Sequence, residues 1–345
     1  MTWLTWRQLR ASVAIAAVGL AAAVSVLLAT GQRLSGLLRT AGENFFDQLD
    51  DDATLEAVLV LGGRLVWALP VIVGVFWGAP MVARELEAGT HRLVWTQSIS
   101  RTRWLANKLA LTGLVAAVVG TLGLALTWWS RPIDDAVGQG FNGSSVASVP
   151  RLWPDVFGTR GVVPIGMTVL GLCVGVAAGL VIRRTVAAMA LTLVTVVAVQ
   201  LAAPVLLQPH LLTPTRDTIV YTVDRITELQ ITGPPGSEDM EVVEFAVGLD
   251  EPGAWLVDLE MVDAEGRVVT DLPEWLVDCA PHPGSDPDVV AACFDRLEDE
   301  GYRQRVDYLA ASRFWQLQTV ETGVLLLLAA CVAGFCFWRV RRDLT

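Results

Sequence analysis

The single lysine of the chain, Lys108, sits in the string LANKLA, preceded by Asn107 and followed by Leu109. A phosphate-cradling P-loop needs Gly-Lys-Ser/Thr, so that backbone amides and the lysine can hold a nucleotide. That spacing is absent, and this chain by itself is not a P-loop ATPase. His91, His210 and His282 are scattered, and neither C-x-x-C nor H-E-x-x-H occurs, so zinc has no ligand set. G-x-S-x-G is missing as well, which argues against a membrane-tethered serine hydrolase. There remains a polar island, Arg84 to Lys108, reading RELEAGTHRLVWTQSISRTRWLANK, with five basic residues against two acids. Arg84, Glu85 and Glu87 open it, and Gly89-Thr90 offers a turn or helix break, with Thr90 able to cap the next segment. Trp95 and Trp104 add rigid aromatic surface, while Arg92, Gln97, Arg101, Arg103 and Lys108 supply cations and a polar amide. Two readings fit these residue types: a basic loop anchoring two helices at an interface, and a surface on which a partner docks.

The elements around the island decide where it lies. At 53% hydrophobic residues and a mean hydropathy of +0.50, the chain is too apolar for a soluble protein of its length. A bilayer core of about 30 Å needs roughly 20 apolar residues per helix. Six stretches qualify, at about 11–30, 63–83, 109–129, 162–182, 186–207 and 320–338. The first is long for the core of a signal peptide and no clean A-x-A cleavage site comes after it, so it is expected to span. Arginine placement sets the orientation. With the N-terminus inside, the inner segments 1–10, 84–108, 183–185 and 339–345 hold twelve basic residues and three acids. The expected topology is N-in, C-in, in a bacterial plasma membrane. Residues 31–62 and 130–161 then read as external loops, with LEAVLVLGG as a surface helix leading into the second span and Arg64 snorkelling to the outer interface.

Between the fifth and sixth spans lies a block of opposite character. Residues 208–313 carry 23 acids and seven arginines, which argues against a nucleic-acid surface, because phosphate binding needs clustered cations. TIVYTV, ELQIT, EVVEFAV, AWLVDLEMV and RVVTDL, separated by turn signals such as GPPG and DAEG, predict a small antiparallel β module. Residues 287–312 read as helical. Cys279 and Cys293 are the two cysteines of this block. A disulfide between them would close a Pro/Gly-rich loop and stabilise it by roughly 3 kcal/mol; two unpaired thiols are the alternative. The fold expected is an α-helical integral membrane protein of six transmembrane helices. Residues 1–207 hold five spans, 208–316 an extracytoplasmic mainly-β (α+β) domain, and 317–345 the last span and tail.

The spans offer little for ion-coupled transport. Segments 65–83, 109–129, 162–182 and 186–207 contain no Asp, Glu, Lys, Arg or His, whereas coupled carriers usually place such groups near midplane. Gln200 is the main strongly polar side chain, and an interhelical hydrogen bond accounts for it. If the protein moves a solute, the energy comes from elsewhere.

The string FWGAPMVARELEAGTHRLVWTQSISRTRWLANKLA resembles permease subunits of type-2 ATP-binding cassette (ABC-2) transporters, in an actinobacterial subgroup. The likeness extends from the opening TWRQLR to Gly301-Tyr302-Arg303, Tyr308, Ala311-Ser312-Arg313-Phe314-Trp315 and Glu321. The resemblance implies a permease working with a separate ATP-binding subunit, which would hold the ATP and Mg, and with a second permease copy or related chain. This chain would carry no cofactor and no catalysis of its own. It also implies ATPase coupling through Arg84 to Lys108 and an interfacial helix carrying Trp3, Trp6, Arg7 and Arg10. Export of a drug, peptide or lipid-like substrate is the implied direction. Two other classes fit the composition: a membrane-anchored sensor with an external binding domain, and a structural membrane subunit.

Overall fold

The computed structural model describes residues 2–89, 100–141, 143, 146–222, 226–232, 241–269, 273, 275–276 and 287–342. They form two units, Met1–Leu212 with Ser312–Thr345, and Thr213–Ala311. In the first, six helices are long and apolar enough to cross a membrane. Helices are what such sequences must form in lipid, because each backbone amide and carbonyl is satisfied within its own segment.

The helices run further than the apolar runs alone predict. The first spans Thr2–Ala41 as one element of 40 residues, about 60 Å at 1.5 Å per residue. Trp3 to Arg10, expected as a separate interfacial helix, is its continuous beginning. Residues 31–62, expected to be a loop ending in a surface helix at LEAVLVLGG, are helical through most of their length, and LEAVLVLGG is part of the second span itself. Gly42, at φ 55°, turns the chain into a short helix, Phe45–Asp51, whose Phe45, Phe46 and Leu49 are buried. Asp52 then caps the second span, accepting from the amides of Thr54 (3.1 Å) and Leu55 (3.4 Å). The acidic stretch is therefore an amphipathic turn of helix pinned by its aromatic pair. Residues 130–161 likewise contain helices, Arg131–Gly138 and Pro154–Phe157.

The second span consists of Ala53–Val73, a π-helical turn Gly74–Gly78 and Ala79–Glu87. The third is Arg101–Gly120 continued by Leu122–Trp129. The fourth, Val163–Ile182, is the most buried of the six. Gly171, Gly175 and Gly179 recur along it at intervals of four and face the second span. A Cβ at Gly175 would lie 2.3 Å from the Gly74 carbonyl oxygen, and one at Gly171 would lie 2.5 Å from that of Pro70. Only glycine permits this approach, the small-residue packing by which membrane helices associate where lipid removes the hydrophobic drive. The fifth span, Thr185–Ala202, ends in a second π turn, Ala203–Leu207, and the short helix Gln208–Leu211. The sixth is Phe314–Arg342.

The second unit bears out the antiparallel β expectation. Strands β1 (Thr215–Ile219), β4 (Trp255–Val262) and β5 (Arg303–Leu309) form a sheet ordered β1-β5-β4. β2 (Ile226–Thr232) and β3 (Glu241–Val247) form a separate pair. Two details differ from the sequence reading. Of RVVTDL, the described residues 267–269 contribute a bridge at Val268, and the helix expected over 287–312 stops at Asp299. Gly301, at φ 80°, ends it, and RQRVDYL becomes the central strand. Its alternation explains the switch: Gln304, Val306 and Tyr308 are buried, while Arg305 pairs with Glu260 and Asp307 with Arg216 across the sheet. Cys293 is disulfide-bonded; Cys279 lies outside the described residues.

The glycine contact yields a direct test. Gly175→Ala should lower the unfolding midpoint of the detergent-purified chain by an amount equivalent to roughly 1–3 kcal/mol of overpacking. Gly113→Ala, where a Cβ meets nothing within 4 Å, should leave it unchanged. Equal midpoints for the two variants would contradict the packing described.

Candidate functional site

The island is approached by two helix ends. The second span runs to Glu87, and Gly89 at φ 68° ends it. Ser100 caps the third span, its hydroxyl accepting from the Arg103 amide at 3.3 Å. Thr90, Arg92, Trp95 and Gln97 lie between these ends, outside the described residues.

Helical periodicity turns part of the island inward. A helix starting at Arg101 places Trp104, Leu105, Lys108 and Thr112 on one stripe, and all four are buried. Trp104 and Leu105 pack with Val82, Val176, Leu180 and Cys336. Trp104 is therefore core, not the exposed aromatic surface read from the sequence, and Lys108 is not a surface cation. Its Nζ lies 2.5 Å from Glu85 Oε1 and 3.3 Å from the Met81 carbonyl oxygen, and 4.7 Å from the centre of the Trp104 ring. Glu85 and Lys108 thus tie the second span to the third.

Glu87 makes a second tie. Its Oε2 accepts from both the backbone amide (3.0 Å) and the hydroxyl (2.6 Å) of Thr185. Thr185 opens the fifth span, so a carboxylate from one helix caps the N-terminus of another, where the helix dipole favours negative charge. Arg183, at φ 58°, makes the turn that brings Thr185 there. Arg84, Arg103, Arg184, Arg341 and Arg342 are left exposed at this end of the bundle, with Arg101 half-buried. Arg10 is exposed on the first helix, and the side chains of Trp3, Trp6 and Arg7 lie outside the described residues. The structure therefore brings Glu85, Trp104 and Lys108 together and leaves Arg84 and Arg103 facing outward. Sequence reasoning missed the Glu87–Thr185 cap. Its signal was present: a carboxylate at one helix end and Thr after a two-arginine turn.

At the opposite end, Gln318 of the sixth span organises the start of the fourth. Its Oε1 accepts from the amides of Val162 (2.8 Å) and Val163 (2.9 Å), and its Nε2 donates to the Phe157 carbonyl (3.1 Å). Thr127 accepts from the Gly161 amide at 2.7 Å, and Trp129 donates to Thr30 at 2.9 Å, holding the first span to the third. Gln200 donates to the Trp67 carbonyl at 2.7 Å, the interhelical bond expected of it. Arg160, buried here, donates to the Leu126 carbonyl at 3.2 Å. Burial pushes the Asp134 carboxyl up, opposed by the charges of Arg160 and Arg151. Arg64 is exposed and lines a cavity of about 470 Å³ together with Arg160, Glu56 and Asp155. No cluster of His, Cys, Asp and Glu fit for a metal occurs among the described residues.

Six apolar spans with a basic rim at one end define a multi-pass membrane protein. Residues 2–208 match the family model described as ABC-2 membrane transporter related, and the chain belongs to that family. It is thus a membrane component of an ABC transporter, a class that works with an ATP-binding subunit. No curated protein and no solved structure matches the chain.

The buried ion pair makes a prediction. Breaking a fully buried pair costs roughly 3–5 kcal/mol, while replacing both partners by apolar residues is often neutral. With side-chain exposures of 7% for Lys108 and 21% for Glu85, Glu85→Leu should fall short of that range but clearly lower the unfolding midpoint. Adding Lys108→Met should restore much of it. A double variant as unstable as the sum of the singles would contradict the pairing.

Proposed function

We propose that this chain is the permease subunit of an ABC exporter whose ATP and Mg are bound by a separate ATPase subunit. The Arg84–Lys108 segment faces the cytoplasm and docks on that ATPase, and the first helix from Trp3 to Arg10 lies beside it. Two permeases, identical or related, form the transport unit, with the second and fifth spans opposed to their symmetry mates. The observation that carries this reading is the pair of ties at the island. Glu85 links the segment's stem to the third span and Glu87 links it to the fifth. A push on the docked segment is therefore delivered to three helices at once, and the substrate path opens between the two permeases.

Further support comes from the distribution of exposed groups. Arg84 and Arg103 present charge where a soluble partner would meet the membrane. Phe76, Val194 and Leu201, at 62%, 65% and 63% exposure, present apolar surface along the second and fifth spans, suited to lipid and to a second copy. In this reading the acidic 213–311 unit lies outside the cell, with Cys279 bonded to Cys293. It gates or shields the exit of a drug-like, peptide or lipid-like cargo.

The test is a pull-down of the tagged chain from detergent-solubilised native membranes, with mass spectrometry of the proteins that accompany it. A stoichiometric ATP-binding subunit should copurify. The exposed double reversal Arg84→Glu/Arg103→Glu should remove it without lowering the amount of inserted permease. A preparation free of any ATPase would sink the reading.

A further inference from the structure

The end of the bundle opposite the island holds a cavity that the transport reading does not use. Its volume is about 220 Å³, and Glu321, Gln208, Gln200, Asp155 and Trp67 supply its polar lining. Glu321 and Gln208 are each 1% exposed, and Gln200 is 8% exposed. Burying a polar atom without a partner forfeits the water it would otherwise bind, so such atoms are rare in native structures. Here three occur around one hollow: Glu321 Oε2, Gln208 Oε1 and Gln200 Oε1 have no hydrogen-bond partner among the described residues.

All three are acceptors, and the amide orientations are fixed by what the other ends do. The Gln200 Nε2 must face the Trp67 carbonyl to which it donates, which turns its oxygen away. The Gln208 side chain hydrogen-bonds the Glu321 carboxyl group, and an NH2 turned to that group leaves the Gln208 oxygen facing away from it. No Lys, Arg or His stands among the residues that line the cavity. The hollow therefore presents one buried carboxylate oxygen and two buried amide oxygens with no Lys, Arg or His among the described residues that line it, the exposed Asp155 as a further acid, and apolar walls such as Val163, Met167 and Val205.

We propose that this cavity is a binding site for a small primary ammonium with an apolar body. Such a group carries three N–H donors and one positive charge, matching three open acceptors and one carboxylate. A bare hard cation fits less well, because six or more oxygen ligands are its usual requirement. Trp67 and Asp155 also line the neighbouring 470 Å³ cavity, so the two hollows share a wall. The proposal is independent of the exporter reading, since it concerns binding by this chain alone.

The test uses the full chain in nanodiscs of uncharged lipid, with empty nanodiscs as blank, and calorimetric titration of benzylammonium against benzyl alcohol, its neutral counterpart. The wild type should bind the amine saturably and at least about tenfold more tightly than the alcohol, as a charge-assisted hydrogen bond implies. Glu321→Gln should abolish that preference. Gln200→Met, which keeps the carboxylate and removes one acceptor, should weaken amine binding while leaving alcohol binding unchanged. Equal affinity of the wild type for amine and alcohol, or no saturable binding of the amine, would overturn the proposal whether or not the variants fold. Undiminished amine binding in a folded Glu321→Gln protein would overturn it too.

Discussion

The backbone contact between the second and fourth spans is the constraint from which the rest of the bundle is built. Gly74 and Gly78 on one helix meet Gly171, Leu172 and Gly175 on the other, and Gly179 meets Ala79, so closely that carbonyl oxygens occupy the places of absent Cβ atoms. In lipid, dispersion and close packing replace hydrophobic burial as the force between helices, and such contact is where they are strongest. The π turn at Gly74–Gly78 shifts the second span's hydrogen-bond ladder at this crossing, as π bulges in functional helices commonly do. The fourth span consequently sits at the centre, with the second and third spans, the π turn and the sixth span packed around it.

Polar groups then fix what packing leaves free, and they do so at the two ends. At the island end, Glu85 and Glu87 bind the second span to the third and the fifth. At the other end, Gln318 caps the fourth span from the sixth. Between them the helices present carbon to lipid and small residues to one another.

Much of this was legible in the sequence, for identifiable reasons. Long apolar runs separated by arginine-rich segments fix the number of spans, because bilayer thickness and the cost of exposed backbone leave no other solution. The β module was visible in its alternation. Three things were hidden. The first was that Phe45, Phe46 and Leu49 fold an acidic loop into helix, since a short amphipathic turn resembles a loop in composition. The second was the strand Arg303–Leu309, whose period-two pattern adjoins a helix of similar polarity and is separated from it by little more than Gly301. The third was the inward turn of Trp104 and Lys108. Residue types read as surface until the helix start at Ser100 sets the phase that buries them. The long-range partnerships of Glu87, Gln318 and Glu321 depend on tertiary placement, which no local pattern carries.

In the proposed function the stem of the island, the second span and the fifth span move as one body when the ATPase closes. Nitroxides at Arg84→Cys and Val186→Cys, on opposite sides of the Glu87–Thr185 tie, report on it through dipolar broadening in the assembled complex. The account predicts the same broadening with ADP and with a trapped ATP state, and a loss of that constancy in Glu87→Ala. Broadening that changes with nucleotide in the otherwise unaltered chain would contradict it, showing that the two spans separate during the cycle.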